Sequence, residues 1–116
     1  MSLEKKKAIG TIGSWYAKVD GELLPVVHRY WAQKMPSYYD PEARPGELQF
    51  GEFVEQMRNN GRVILQSDME PFKNAEGKTV LMRHGYIAVF QVDVDSIRLD
   101  ENGLAFRFLK RLCELQ

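Results

Sequence analysis

The dipeptide Asp20-Gly21 stands between two runs rich in β-branched and aromatic residues, and it constrains the fold more than any other feature of the chain. Such a pair accepts positive φ at both central positions and matches the right-handed twist of the flanking strands, so it marks a type I′ hairpin. The run AIGTIGSWYAKV, residues 8–19, is the expected entering strand. The segment ELLPVVHRYWAQK reads as the return strand, with Pro25 placing it at a sheet edge or a bulge because proline cannot donate to a ladder. In a two-residue turn position 19 opposes 22, which sets Thr11 opposite Tyr30 and Gly10 opposite Trp31. A helix over 25–35 stays open, since Leu24, Val27, Trp31 and Met35 share helical spacing with Pro25 in a first-turn position. Val26, Val27, Tyr30 and Trp31 favour the strand.

Beyond the hairpin, PSYYDPEARPG at 36–46 carries three prolines and a glycine, which predicts a loop. Phe50, Phe53, Val54 and Met57 then form one apolar helical face ending at Gly61, so a helix over about 51–60 is expected to lie on the sheet. Residues 62–69 and 78–93 read as two strands of a second hairpin, with Gly85 as a bulge. Ile87-Ala88-Val89-Phe90 is apolar on both faces, the mark of a central strand covered from each side. In the tail, Leu104, Ala105, Phe108, Leu109, Leu112 and Leu115 fall on one helical stripe, which predicts a C-terminal helix over 104–115. The rival reading makes Asn102-Gly103 a turn and residues 104–108 a strand, and Phe106 separates the two: it is off the stripe in a helix and buried in a strand. The resulting expectation is a single α+β domain over 8–116 with a mainly antiparallel sheet of four to six strands, preceded by a disordered leader at 1–7.

Composition narrows function by exclusion. Sixteen basic residues balance sixteen acidic ones, eight of each in residues 1–60 and again in 61–116. Polyanion binding draws on clustered uncompensated cations, so no nucleic-acid partner is expected, although bases stacked on Trp15 or Tyr30 would be the form it took. Cys113 is the sole cysteine, which precludes an internal disulfide and suits a reducing, cytoplasmic setting; its apolar neighbours Leu112 and Leu115 favour burial. No stretch approaches the length of a membrane span, so no membrane partner is expected.

Three aromatic doublets carry the functional expectation: Trp15-Tyr16, Tyr30-Trp31 and Tyr38-Tyr39. Neighbours on a strand face opposite sides, so one ring of each strand doublet points away from its partner, and exposed rings mark interfaces or ligand grooves. This predicts a small interaction module that forms a homodimer through its N-terminal hairpin, with a protein partner or a small ligand as other occupants of the rings. The alternative is a ligand-binding protein or small enzyme with a pocket lined by Trp15, His28, Tyr30 and His84; convergence of the two histidines near Asp68 or Asp93 would permit acid-base chemistry or metal ligation. No HExxH or CxxC spacing supports that, and neither metal nor cofactor is expected. Asp93 and Asp95 read as part of a solvated strand end, and Ser14 has no local base.

Overall fold

The computed structural model describes residues 4–10, 15–67, 69–83 and 85–115, and for 69–72 and 80–83 it describes the backbone alone. In chain order the elements are β1 (Lys5–Lys6), β2 (Ala8–Gly10), β3 (Tyr16–Val19), β4 (Glu22–His28), a 3-10 turn (Arg29–Trp31), β5 (Ser37–Asp40), α1 (Leu48–Asn60), β6 (Arg62–Gln66), β7 (Met69–Lys73), β8 (Thr79–Arg83), β9 (Tyr86–Asp100) and β10 (Gly103–Leu115). The class is α+β: among the described residues there is one mixed eight-stranded sheet, ordered β1-β10-β9-β6-β4-β3-β2 with β5 also on β10, and one α-helix. This exceeds the four to six strands expected: the strand expected over 8–19 is two, β2 and β3, which pair with each other, β1 and β5 form in segments expected to be leader and loop, and the tail adds a strand in place of a helix. Strands β7 and β8 make a separate two-stranded sheet.

The first hairpin forms as its turn dictates. Val19 opposes Glu22, and Asp20 and Gly21 take φ of 54° and 78°. The strand does not continue through Trp31, however. It ends at His28 and gives way to the 3-10 turn, so residues 25–35 are neither one helix nor one strand. Gly10 pairs with Ala17 and not with Trp31; Thr11 lies outside the described residues. Pro25, expected at an edge or a bulge, sits in an interior strand flanked by β3 and β6. Val26 N–H donates to the Trp15 carbonyl at 2.9 Å, so the backbone nitrogen of Pro25 turns away from β3, and pairing on its other side begins only at Val26. The missing donor therefore costs no ladder bond.

The β4–β6 pair is parallel, and α1 makes the crossover that such a pair requires. The helix begins three residues before the expected start and ends as expected. Gly61 adopts φ 65°, and its N–H donates to the Met57 carbonyl at 2.8 Å. Strands β6 and β9 form the expected second hairpin, the Ser67 N–H donates to the Gly85 carbonyl at 3.2 Å next along the same two stretches, and β7 pairs with β8 farther on. The β6–β9 register shift falls between Leu65 and Gln66, so the irregularity expected at Gly85 lies at Ile87 instead.

The two ends of the strand order are successive pieces of one stretch. Lys5–Lys6 pairs in parallel with the end of β10, and Ala8–Gly10 pairs with β3. The sheet thus closes on itself through a segment that includes part of the expected disordered leader. Closure creates two cores. Inside the closed sheet lie Ala17, Val19, Leu24, Val26, Ile64, Val89, Cys113 and Leu115. Outside it, Phe53, Val54 and Met57 of α1 cover Val27, Val63, Leu65, Ala88 and Phe90, continuous with Tyr38, Leu104, Phe106 and Phe108. Strand β9 is apolar on both faces because it separates these cores, as its sequence implied.

The C-terminal helix is corrected to strand. Residues 104, 106 and 108 are buried in the outer core, whereas 113 and 115 are buried in the inner one. Leu109, Lys110 and Arg111 between them are exposed, where register shifts interrupt pairing with β9. The buried face changes sides midway, and that change imitates a helical stripe in one dimension. Phe106 is 4% exposed, which identifies the strand reading. Its turn is Glu101-Asn102, since Gly103 already pairs with Asp100.

Candidate interaction surface

The six rings singled out by sequence do not form one patch. Trp15 precedes β3 and stands edge-on to Phe50 and Phe53 of α1, with ring centroids 5.0 and 5.7 Å away. Tyr16 leans on Phe53 at 6.1 Å; partial burial, and secondarily the Glu52 carboxylate, raises its hydroxyl pKa. Tyr30 and Trp31 meet edge to face at 4.6 Å on the 3-10 turn, where Tyr30 is exposed and Trp31 packs partly on the outer core. Tyr38 is buried in the outer core, stacked on Phe106 at 4.6 Å, while Tyr39 is exposed and its hydroxyl donates to the Asn102 carbonyl at 2.5 Å. The alternation expected of strand neighbours thus holds for Tyr38-Tyr39, in a segment expected to be loop.

His28 ends β4 opposite Gln66, half-buried, and its backbone is hydrogen-bonded to the Tyr38 hydroxyl. His84 and Asp68 lie outside the described residues, so the paired-histidine site does too. Among the described residues, no three or more His, Cys, Asp or Glu side chains converge as metal ligands. No helix there is long and apolar enough to cross a membrane. Asp93 accepts from the Asp95 N–H at 3.2 Å, and the Ser96 hydroxyl donates to the Asp93 carbonyl at 2.6 Å. Ser96 Oγ in turn accepts from the Arg107 N–H at 2.9 Å. These residues fill a break in the β9–β10 ladder and do not form a strand end.

Of four cavities bounded by described residues, none is lined by Trp15, His28 or Tyr30. One, of about 130 Å³, opens at the mouth of the closed sheet above Cys113. Its rim holds two ion pairs, Lys6 Nζ to Asp20 at 2.5 Å and Arg62 to Glu22. Another, of about 460 Å³, is a groove between the first hairpin and α1, lined by Tyr16, Leu23, Glu52, Glu55, Gln56 and Asn59. The four helix residues recur at 52, 55, 56 and 59, so they are a single stripe beside the buried one.

This groove adjoins the residues that sequence reasoning missed. The ladder sets Ile9 beside Lys18 and Lys18 beside Leu23, a row crossing three strands on the outer face. Ile9 is 61% and Leu23 41% exposed, whereas Leu24, the next residue, is buried inside the closed sheet. Farther along the same face of β4, Pro25 and Val27 are buried, with Val27 under α1. The bare row is therefore a step beside the helix. A signal for it existed: once 19 opposes 22, Lys18 opposes Leu23, and a Leu23-Leu24 doublet on a strand must divide between two faces. Comparisons with family models, curated proteins and solved structures find no match for this chain.

Proposed function

We propose that this chain is a small interaction module that associates with a second copy of itself through the outer face of its N-terminal strands. The reading rests on one observation: Ile9 and Leu23 lie exposed in one cross-strand row beside an open groove. Two large aliphatic side chains held rigidly on paired strands lose little further conformational freedom on docking, and burying what remains of each stabilises an interface by roughly 1 to 2 kcal/mol. The aromatic rings take a supporting part. Trp15 and Tyr16 brace α1 against the hairpin and so hold the groove open, whereas Tyr30 stands beyond the far end of β4 and takes no part in it. A pocket made from Trp15, His28, Tyr30 and His84 has less support, because Trp15 is turned into α1 and Tyr30 stands on an exposed turn.

The test is sedimentation across a concentration series. Wild-type protein is expected to associate reversibly, and Leu23→Glu and Ile9→Glu to shift the equilibrium to monomer with unchanged secondary structure. A wild type that stays monomeric at its highest soluble concentration, or a Leu23→Glu variant that associates as the wild type does, would overturn the reading.

A further inference from the structure

Resting on that self-association, we infer that the second copy docks about a two-fold axis near Leu23, with Lys18 of each protomer set against the partner subunit's Glu52 and Glu55. Three observations lead there. Lys18, Glu52 and Glu55 are all exposed and, among the described residues, none of the three makes an ion pair. Leu23 separates them: it opposes Lys18 on one side and lines the groove with Glu52 and Glu55 on the other. One continuous patch thus carries a cation, an apolar centre and two carboxylates in that order.

Such an order is complementary to itself when reversed. A two-fold axis through the apolar centre brings each end of the patch over the opposite end of the second copy, which is the condition an isologous interface must meet. Shape agrees with charge. The row Ile9-Lys18-Leu23 is bare sheet and α1 is the riser beside it, so the acidic stripe of one helix settles onto the bare sheet of the other protomer and the reverse. The exposed leucines then meet at the centre, and Lys18 gains counter-charges that the described residues of its own chain do not give it. A partner with a uniformly charged surface would satisfy one end of this patch and oppose the other.

Charge reversal tests the arrangement. Lys18→Glu is expected to weaken self-association by at least about tenfold, and Glu52→Lys combined with Glu55→Lys to do the same, since each places like charges opposite across the axis. Mixing the two variants is expected to restore a dimer, now with one chain of each kind. In that pair the carboxylate introduced at position 18 of the first chain faces the two introduced lysines of the second, while the unaltered Lys18 of the second faces the glutamates that the first retains. Raising salt weakens the wild-type dimer and the mixed one alike. Thermal melts of the separate variants, expected to match the wild-type monomer, check that these exposed substitutions leave the fold intact. If the reversed variants associate like the wild type while Leu23→Glu is monomeric, the interface stands and the two-fold pairing falls. If the mixture fails to dimerise although each variant alone is monomeric, the pairing falls as well. Should Leu23→Glu have no effect, both the pairing and the reading beneath it are overturned.

Discussion

Tyr38 shows how one side chain can link two distant parts of this chain. Its ring stacks on Phe106 and its hydroxyl is hydrogen-bonded to the His28 backbone, so it ties β5 to both the first hairpin and the last. Burial, with a smaller contribution from Asp40, drives its pKa well above the value of 10.0 that an unperturbed tyrosine has. The folded state therefore retains this proton to higher pH than the unfolded chain. Its stabilising effect is complete below pH 10 and declines as the unfolded tyrosine ionises, by up to about 1.4 kcal/mol per pH unit. Denaturant melts between pH 9 and about 11 are expected to show this fall. Tyr38→Phe should flatten most of it, leaving the parts due to half-buried Tyr16 and to Lys6, whose pairing with Asp20 also raises its pKa, while lowering stability at neutral pH by ~1 kcal/mol for the lost hydrogen bond. Gly103 is the second residue on which the last hairpin depends. Its φ is 121°, and a Cβ there would collide with the Asp40 carbonyl oxygen. Gly103→Ala combines backbone strain with a backbone clash, and a loss of roughly 2 to 4 kcal/mol is expected in urea unfolding.

Among the elements, α1 and the β9–β10 hairpin contribute in different ways. The helix is 13 residues long and draws its stability from the stripe that Phe53, Val54 and Met57 bury on the sheet. Phe53 also supports Trp15 and Tyr16, so Phe53→Ala removes both a core side chain and the brace of the groove. It should cost about 3 to 5 kcal/mol in chemical denaturation and weaken self-association in the same protein. Strand β10 belongs to both cores in turn, first by its even residues and later by its odd ones. The register shifts between Phe108 and Cys113 mark the crossing. Bulges there also break up the edge between β5 and β1, where Leu109 would otherwise offer an unpaired strand to a neighbouring molecule.

At the scale of the whole molecule the decisive event is closure. A sheet left open between β2 and β10 would expose Val19, Leu24 and Leu115 to water, and a short N-terminal segment prevents it. Among the described residues the fastening comprises two residues of parallel pairing, the Glu114 N–H donating to the Glu4 carbonyl at 2.9 Å, and the Lys6–Asp20 pair. Cys113 lies just beneath, buried, and as the sole cysteine it reports on the opening. Deleting residues 1–7 is expected to accelerate its modification by a thiol reagent under native conditions, with the helix content retained. An unchanged rate would mean that this segment does not control access to the inner core.

By itself the sequence determined what is settled within a few residues: the Asp20-Gly21 turn, the helix with its Gly61 cap, and the two-sided apolar run at 87–90. Each depends on backbone conformations or spacings that no distant partner alters. Only tertiary structure decided the rest. Residues 104–115 carry a pattern that a helix would satisfy, yet they are strand because β9, β5 and β1 offer the backbone partners and two separate cores bury opposite faces of it. The aromatic doublets looked like one surface because they cluster along the chain, and long-range packing sent Trp15 and Tyr16 to the helix and Tyr38 to the outer core. Ile9 and Leu23 gained their importance the same way: exposure belongs to a residue's neighbours in space, and those are chosen by the way the sheet closes and where the helix stops covering it.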